Sequence, residues 1–121
     1  MSLEESFQKR KQVYEARILS LEASLDKTKK SFITKAERYH YNLGVLYAQN
    51  KDYDLAVEEF KISLGYNRNN SKAHYNLGII YDDYFKDKEN AREHYRSFLE
   101  LSPMSDDADA VREWLKDLDN S

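Results

Sequence analysis

The octet His-Tyr-Asn-Leu-Gly-Val-Leu-Tyr occupies residues 40–47, and His-Tyr-Asn-Leu-Gly-Ile-Ile-Tyr occupies residues 74–81. The two agree at six of eight positions and begin 34 residues apart. A chain of 121 residues that writes one octet twice points to a repeated supersecondary unit. Within each octet the apolar residues step by three or four: Leu43, Val45/Leu46 and Tyr47, then Leu77, Ile79/Ile80 and Tyr81. That spacing is helical. A second apolar-periodic segment follows each octet, one with Ala56, Val57, Phe60 and Leu64 on a face, the other with Ala91, Tyr95, Phe98, Leu99 and Leu101. Asp52 and Asp87 stand where the N-caps of these second helices belong. Each unit is therefore a helix hairpin, and hairpins at a fixed period form a solenoid.

These residues resemble the tetratricopeptide repeat family, whose pattern is Trp-x2-Leu-Gly-x2-Tyr, then Ala-x3-Phe, then Pro. The first unit supplies His40, Leu43, Gly44, Tyr47, Ala56 and Phe60. The second supplies His74, Leu77, Gly78, Tyr81, Ala91 and Tyr95, with Pro103 closing it. The resemblance covers roughly residues 37–103. Gly44, Gly78, Ala56 and Ala91 make sense physically, because two helices cross closely only where side chains are small. His replaces the usual Trp in both units, Arg68 stands where the first should end in Pro, and the loop around Phe85-Lys86-Asp87 is one residue longer than its counterpart.

The fold that the resemblance implies is an all-α, right-handed α-solenoid. It has two tetratricopeptide hairpins, about 37–70 and 71–104, flanked by a long N-terminal helix in 1–33 and a capping helix in 104–121. The expected helices lie near 3–30, 35–49, 53–66, 71–84, 88–101 and 106–118, with no strand. Thr34-Lys35-Ala36-Glu37 reads as a capping box, so the first helix is expected to break near Ser31–Ile33. Ser105 reads as the N-cap of the last helix, with Asp106 and Asp107 in its first turn. The apolar stripe of that helix is Ala108, Val111, Trp114/Leu115 and Leu118.

The N-terminal segment carries its own periodicity. Phe7, Tyr14, Ile18, Leu21, Leu25 and Phe32 follow a heptad-like register, with Lys11 and Thr28 at the two remaining seam positions. The stripe is narrow, as in a coiled-coil seam. Three readings follow: an extra solenoid helix, a self-association helix using Tyr14, Ile18, Leu21 and Leu25, or a membrane-surface helix. The last is disfavoured because the charged face mixes Glu with Lys.

Composition bounds the chemistry. Net charge is −3, with seven Lys/Arg against five Asp/Glu in residues 1–34, ten against eleven in 35–103, and two against six from Met104 onward. No strongly basic stripe exists, so nucleic acid is not an expected partner. No apolar run is long enough for a signal peptide or a membrane span. The expected location is cytoplasmic, although a signal removed upstream would leave no trace. With no Cys and three His, thiol chemistry is excluded, and the repeat already assigns His40 and His74 to packing. Asp82 and Asp83 lie near His74 in sequence, but adjacent helical residues diverge. No phosphate loop, nucleophile elbow or metal-ligand spacing is present. The chain is read as a non-enzyme without cofactor, metal or catalytic residues.

What remains is a binding surface. In the tetratricopeptide family the first helices of the hairpins line a concave groove. Carried over by resemblance, the first helix contributes Arg38, Tyr41, Asn42, Val45 and Gln49. The second contributes Lys72, Tyr75, Asn76, Ile79 and Asp83. Relatives use Asn at these places to hold the backbone of an extended peptide, since one amide both donates and accepts. The clamp that holds a chaperone C-terminal carboxylate is not expected, because Tyr41 and Val45 occupy its first-hairpin places and there is no third hairpin. Two functions stay open. One is an adaptor that binds a peptide or helix of a partner protein in the groove and self-associates through the N-terminal helix. The other is a structural subunit of an oligomeric assembly, its groove filled by its own or a neighbouring N-terminal helix.

Overall fold

The computed structural model describes Met1–Ser121 in five α-helices and no strand. They are α1 (Leu3–Gln49), α2 (Tyr53–Tyr66), α3 (Ser71–Asp83), α4 (Lys88–Leu101) and α5 (Ala108–Asp119). The chain is an all-α solenoid. Packing divides it into two units, Met1–Lys35 and Ala36–Ser121.

In Met1–Lys35 the chain is a single amphipathic helical segment. Its stripe residues Phe7, Tyr14, Ile18, Leu21, Leu25 and Phe32 are all exposed. The expected break near Ser31–Ile33 does not occur, since α1 continues to Gln49. The reason is visible at the expected capping box. The Thr34 hydroxyl donates to the Lys30 carbonyl at 3.0 Å, as Thr28 does to Ser24 at 3.0 Å. A hydroxyl bonded back one turn belongs to a helix interior, not to a cap. With no Gly or Pro before Gly44, nothing stops the helix.

In Ala36–Ser121 the core is built from Phe60, Leu77, Tyr95, Phe98, Val111 and Leu118, with Ala56, Ala73 and Ala91 at the tight points. Phe60 from α2 lies over Gly44 of α1, and Tyr95 from α4 lies over Gly78 of α3. A Cβ built on Gly44 would stand 2.8 Å from the Phe60 ring, and one on Gly78 would fall inside contact distance of Tyr95. Both aromatic rings are essentially inaccessible, at 0% and 1%. The small residue in each octet is therefore the floor for a large ring from the next helix. α5 closes the stack with Val111 and Leu118 buried. Arg92 ties it to α4, donating from Nη2 to the Leu118 carbonyl at 3.1 Å and pairing through Nε with Asp119 at 3.0 Å.

The connections differ from expectation in detail. Asp87 caps α4 as expected, accepting from the Asn90 amide at 3.2 Å, and its bonds to Asn90 hold its carboxyl below the usual range. Asp52 occupies the N-cap position of α2, but its side chain makes no capping bond; its carboxylate accepts from Asn50 Nδ2 at 3.0 Å. The last helix starts at Ala108, not 106. Ser105 is spent on the preceding turn, accepting from Asp107 N at 3.3 Å and, through its carbonyl, from Ala108 N at 3.0 Å. Asn70, which stands outside the repeat pattern, caps α3 by accepting from Ala73 N at 3.2 Å. The longer loop after α3 is present at Tyr84–Asp87, with Lys86 in the left-handed region at φ 54° and Asp87 N bonded to the Tyr81 carbonyl at 2.8 Å.

The glycines give a paired prediction. Gly44→Ala or Gly78→Ala forces a buried ring to move and is expected to destabilise the protein by ~1–2 kcal/mol, the overpacking cost exceeding the gain in helix propensity. The cost should grow for Gly44→Leu and Gly78→Leu. Gly65, in α2, faces open space, and a methyl group added there would meet nothing within 4 Å. Gly65→Ala should instead stabilise by about 0.5 kcal/mol. Urea titrations of the three alanine variants check the opposite signs.

Candidate functional site

The surface expected to bind a partner lies on α1 and α3 within Ala36–Ser121. One hydrogen bond joins the two helices there: Asn76 Nδ2 donates to the Tyr41 hydroxyl at 3.2 Å. Asn76 Nδ2 also donates to the Lys72 carbonyl at 3.0 Å, one turn back. Its Oδ1 takes no hydrogen bond within the chain. The equivalent Asn42 is exposed and makes no side-chain bond at all. The two asparagines thus occupy the same repeat position in different states, one anchored by its donors and one open.

The tyrosines are more enclosed than groove residues need to be. Tyr41 is half-buried, its ring 5.6 Å from Phe60, and burial raises its pKa despite the Asn76 bond. Tyr75 sits 5.2 Å from Phe98 and 6.1 Å from Trp114. Burial, then the nearby Asp107 charge, pushes its phenol upward. Each ring therefore packs one edge into the core and leaves the other available.

The remaining expected residues scatter. Ile79 and Asp83 line a cleft of about 180 Å³ with Asp82, Tyr95 and Trp114. Val45 is half-buried against the core. Arg38, Lys72 and Gln49 are exposed; Gln49 lies beside Leu46, Tyr47 and Asn50 at the end of α1. In sequence Trp114 is only one member of the capping stripe. No repeat signal flags it as a cleft residue, since it lies beyond the second hairpin.

The histidines are side-chain bridges between the helices of each hairpin. His40 Nδ1 meets Glu59 Oε2 at 2.6 Å, and its ring stacks on Tyr66. His74 Nδ1 meets His94 Nδ1 at 3.0 Å, while His74 Nε2 reaches the Arg68 carbonyl at 3.1 Å. A carbonyl only accepts, so His74 carries its proton on Nε2. When His74 is neutral, its Nδ1 must then accept from His94 Nδ1–H. Burial first, then the charges of His74 and Lys61, push His94 down to about 4. Its ring also stacks on Tyr81.

Asp82 accepts from the Tyr95 hydroxyl at 3.0 Å, and Asp83 is exposed, so the two carboxylates do not converge. Burial, followed by the Asp82 bond, raises the Tyr95 phenol far above its ordinary value. That tyrosine stays neutral as a structural donor. No group of three or more His, Asp or Glu is arranged to hold a metal ion, and no helix is long and apolar enough to cross a membrane.

The His94 shift has a definite sign. Its folded pKa lies below the unfolded value near 6.5, so unfolded chains bind the proton better. The stability that neutral His94 contributes is complete above pH ~6.5 and is lost as pH falls toward about 4. Thermal melts between pH 7 and 4.5 are expected to show a falling midpoint, and His94→Gln should flatten that fall.

A family model described as tetratricopeptide repeat matches residues 20–65 and again residues 41–106. No curated protein matches the chain.

Proposed function

The chain belongs to the tetratricopeptide repeat family, a family of protein–protein interaction modules, and we propose that it is a non-catalytic adaptor. It binds an extended segment of another protein along the face of α1 and α3 that carries Tyr41, Asn42, Tyr75 and Asn76. The observation that carries this reading is the Asn76–Tyr41 bond, which fixes two helices of successive hairpins into one surface. On that surface Asn76 Oδ1 and the whole Asn42 amide have no bond within the chain. These groups suit a peptide backbone, which offers alternating N–H and C=O. The edges of Tyr41 and Tyr75 supply rigid apolar contact beside them. The absence of a strongly basic stripe favours a protein partner over nucleic acid.

A second reading is favoured by a different observation. Tyr14, Ile18, Leu21 and Leu25 lie on one stripe and are each more than half exposed, Ile18 at 53% and Leu25 at 54%. A row of large apolar side chains in water costs free energy that association recovers. In this reading the segment Met1–Lys35 self-associates, and the chain serves as a subunit of an assembly.

The adaptor reading is tested with peptides selected against the protein from a random phage-displayed library. Asn42→Ala with Asn76→Ala is expected to weaken the selected peptides by ~1–3 kcal/mol and leave the circular dichroism spectrum unchanged. Tyr41→Phe controls for the lost internal bond. Selected peptides that bind the double variant as tightly as the wild type would place the binding surface elsewhere.

A further inference from the structure

We propose that the exposed stripe of Met1–Lys35 is one strand of a parallel, in-register, two-stranded coiled coil formed with a second copy of this chain. The proposal rests on the self-association reading above and adds to it the number of strands, their direction and the pairs that set them.

The seam fixes the heptad. Phe7, Tyr14, Leu21 and Thr28 fall at one seam position, d, and Lys11, Ile18, Leu25 and Phe32 at the other, a. The rim follows at once. Residues just before each a, at g, are Arg10, Arg17, Ser24 and Ser31. Residues just after each d, at e, are Gln8, Glu15, Glu22 and Lys29. The arginines are thus confined to one rim and the glutamates to the other.

That segregation selects the direction. In a parallel, in-register pair each g residue faces the e residue five places on in the other strand. Arg10 then meets Glu15 of the second copy, and Arg17 meets Glu22 of the second copy. Each pair occurs twice by symmetry, and along the rim no like charges face each other, because Lys29 falls opposite Ser24. In an antiparallel pair g faces g and e faces e. Neither arginine can then meet either glutamate, and only Lys29 offers the glutamates an opposite charge. None of Arg10, Arg17, Glu15 and Glu22 makes an ion pair within the chain, so all four are free to form these contacts.

The core positions agree. Ile18 at a followed by Leu21 at d is the combination that favours two strands, and a polar a residue within the seam sets register and strand number. Lys11 is such a residue, as is Glu4 in the first turn of the helix. Phe7, Arg10, Lys11 and Tyr14, with Glu15 at the edge, already form a recess along the helix. Those four are the members of one hole, and in register the knob entering it is the aliphatic stem of Lys11 of the second copy, its ammonium reaching the rim.

The test uses the full chain. Light scattering after gel filtration is expected to give twice the 14.4 kDa of one chain. The chain has no cysteine, so Glu4→Cys, at an a position, gives a single thiol whose two copies adjoin only in a parallel pair, within disulfide reach. It is expected to cross-link completely in a glutathione buffer, while Lys9→Cys, on the outer face, does not. Arg10→Glu with Arg17→Glu should raise the dimer dissociation constant at least about 100-fold at low salt. An equimolar mixture with Glu15→Arg/Glu22→Arg should restore the dimer. A monomer at all concentrations overturns both this proposal and the self-association reading. A dimer in which Glu4→Cys fails to cross-link, or a larger oligomer, leaves self-association standing and overturns the parallel two-stranded pairing.

Discussion

The seating of an aromatic ring on a glycine is the contact on which the repeats depend. Phe60 over Gly44 and Tyr95 over Gly78 bring each ring so close to the facing helix that no side-chain carbon fits at the glycine beneath it. Because the rings are the largest fully buried side chains, this contact excludes water from each hairpin. The alanines at 56, 73 and 91 are fully buried in the same core, where a larger side chain would overpack it. Tyr95 adds a requirement that Phe60 does not have. Its hydroxyl needs a partner when buried, and Asp82, one helix turn beyond Gly78, accepts from it.

Polar contacts then lock the hairpins in register. Ser63, fully buried in α2, donates to the Glu37 carbonyl at 3.0 Å, and the Glu37 carboxylate accepts from Asn67 at 3.1 Å. These bonds hold the α2–α3 connection against the start of the first repeat without the proline the family usually places there. At the far end Asp119 receives Arg92 and Arg96 from α4, which fixes α5 over the second hairpin. No buried side-chain nitrogen or oxygen lacks a partner, so the apolar core carries no unmet polar cost.

The two repeats are copies in sequence but not in chemistry. His40 and His74 are the same residue of the same octet, and each bridges to the second helix of its hairpin. Glu59 receives the first and His94 the second, the seat just before Phe60 in one case and Tyr95 in the other. The first bridge joins a base to an acid, whereas the second joins two bases and works only while at least one stays neutral. Asn42 and Asn76 diverge likewise. Asn76 has α1 beside it and reaches Tyr41, whereas Asn42 lies on the first repeat and has no preceding hairpin to bond.

Periodicity, capping and the duplicated octet carried the helices, the hairpins and the small residues at their crossings, because these are local: spacing of 3.6 residues and a missing side chain can be read from the chain itself. The bounds of α2 and α4 and the lengthened loop before Asp87 belong to this class. The helix boundary at Thr34 does not, because a threonine hydroxyl serves equally as a cap or as a partner for the carbonyl one turn back. Only the folded structure decided between them: the Thr34 hydroxyl donates back to the Lys30 carbonyl, and the Glu37 carboxylate accepts from Asn67 of the α2–α3 connection. It alone decided, too, that Tyr41 and Tyr75 would be half-buried rather than open, that Trp114 would share a cleft with Ile79 and Asp83, and that His74 would find His94. Each of these depends on which residues a neighbouring helix brings across, and that proximity is set by packing between segments far apart in the sequence.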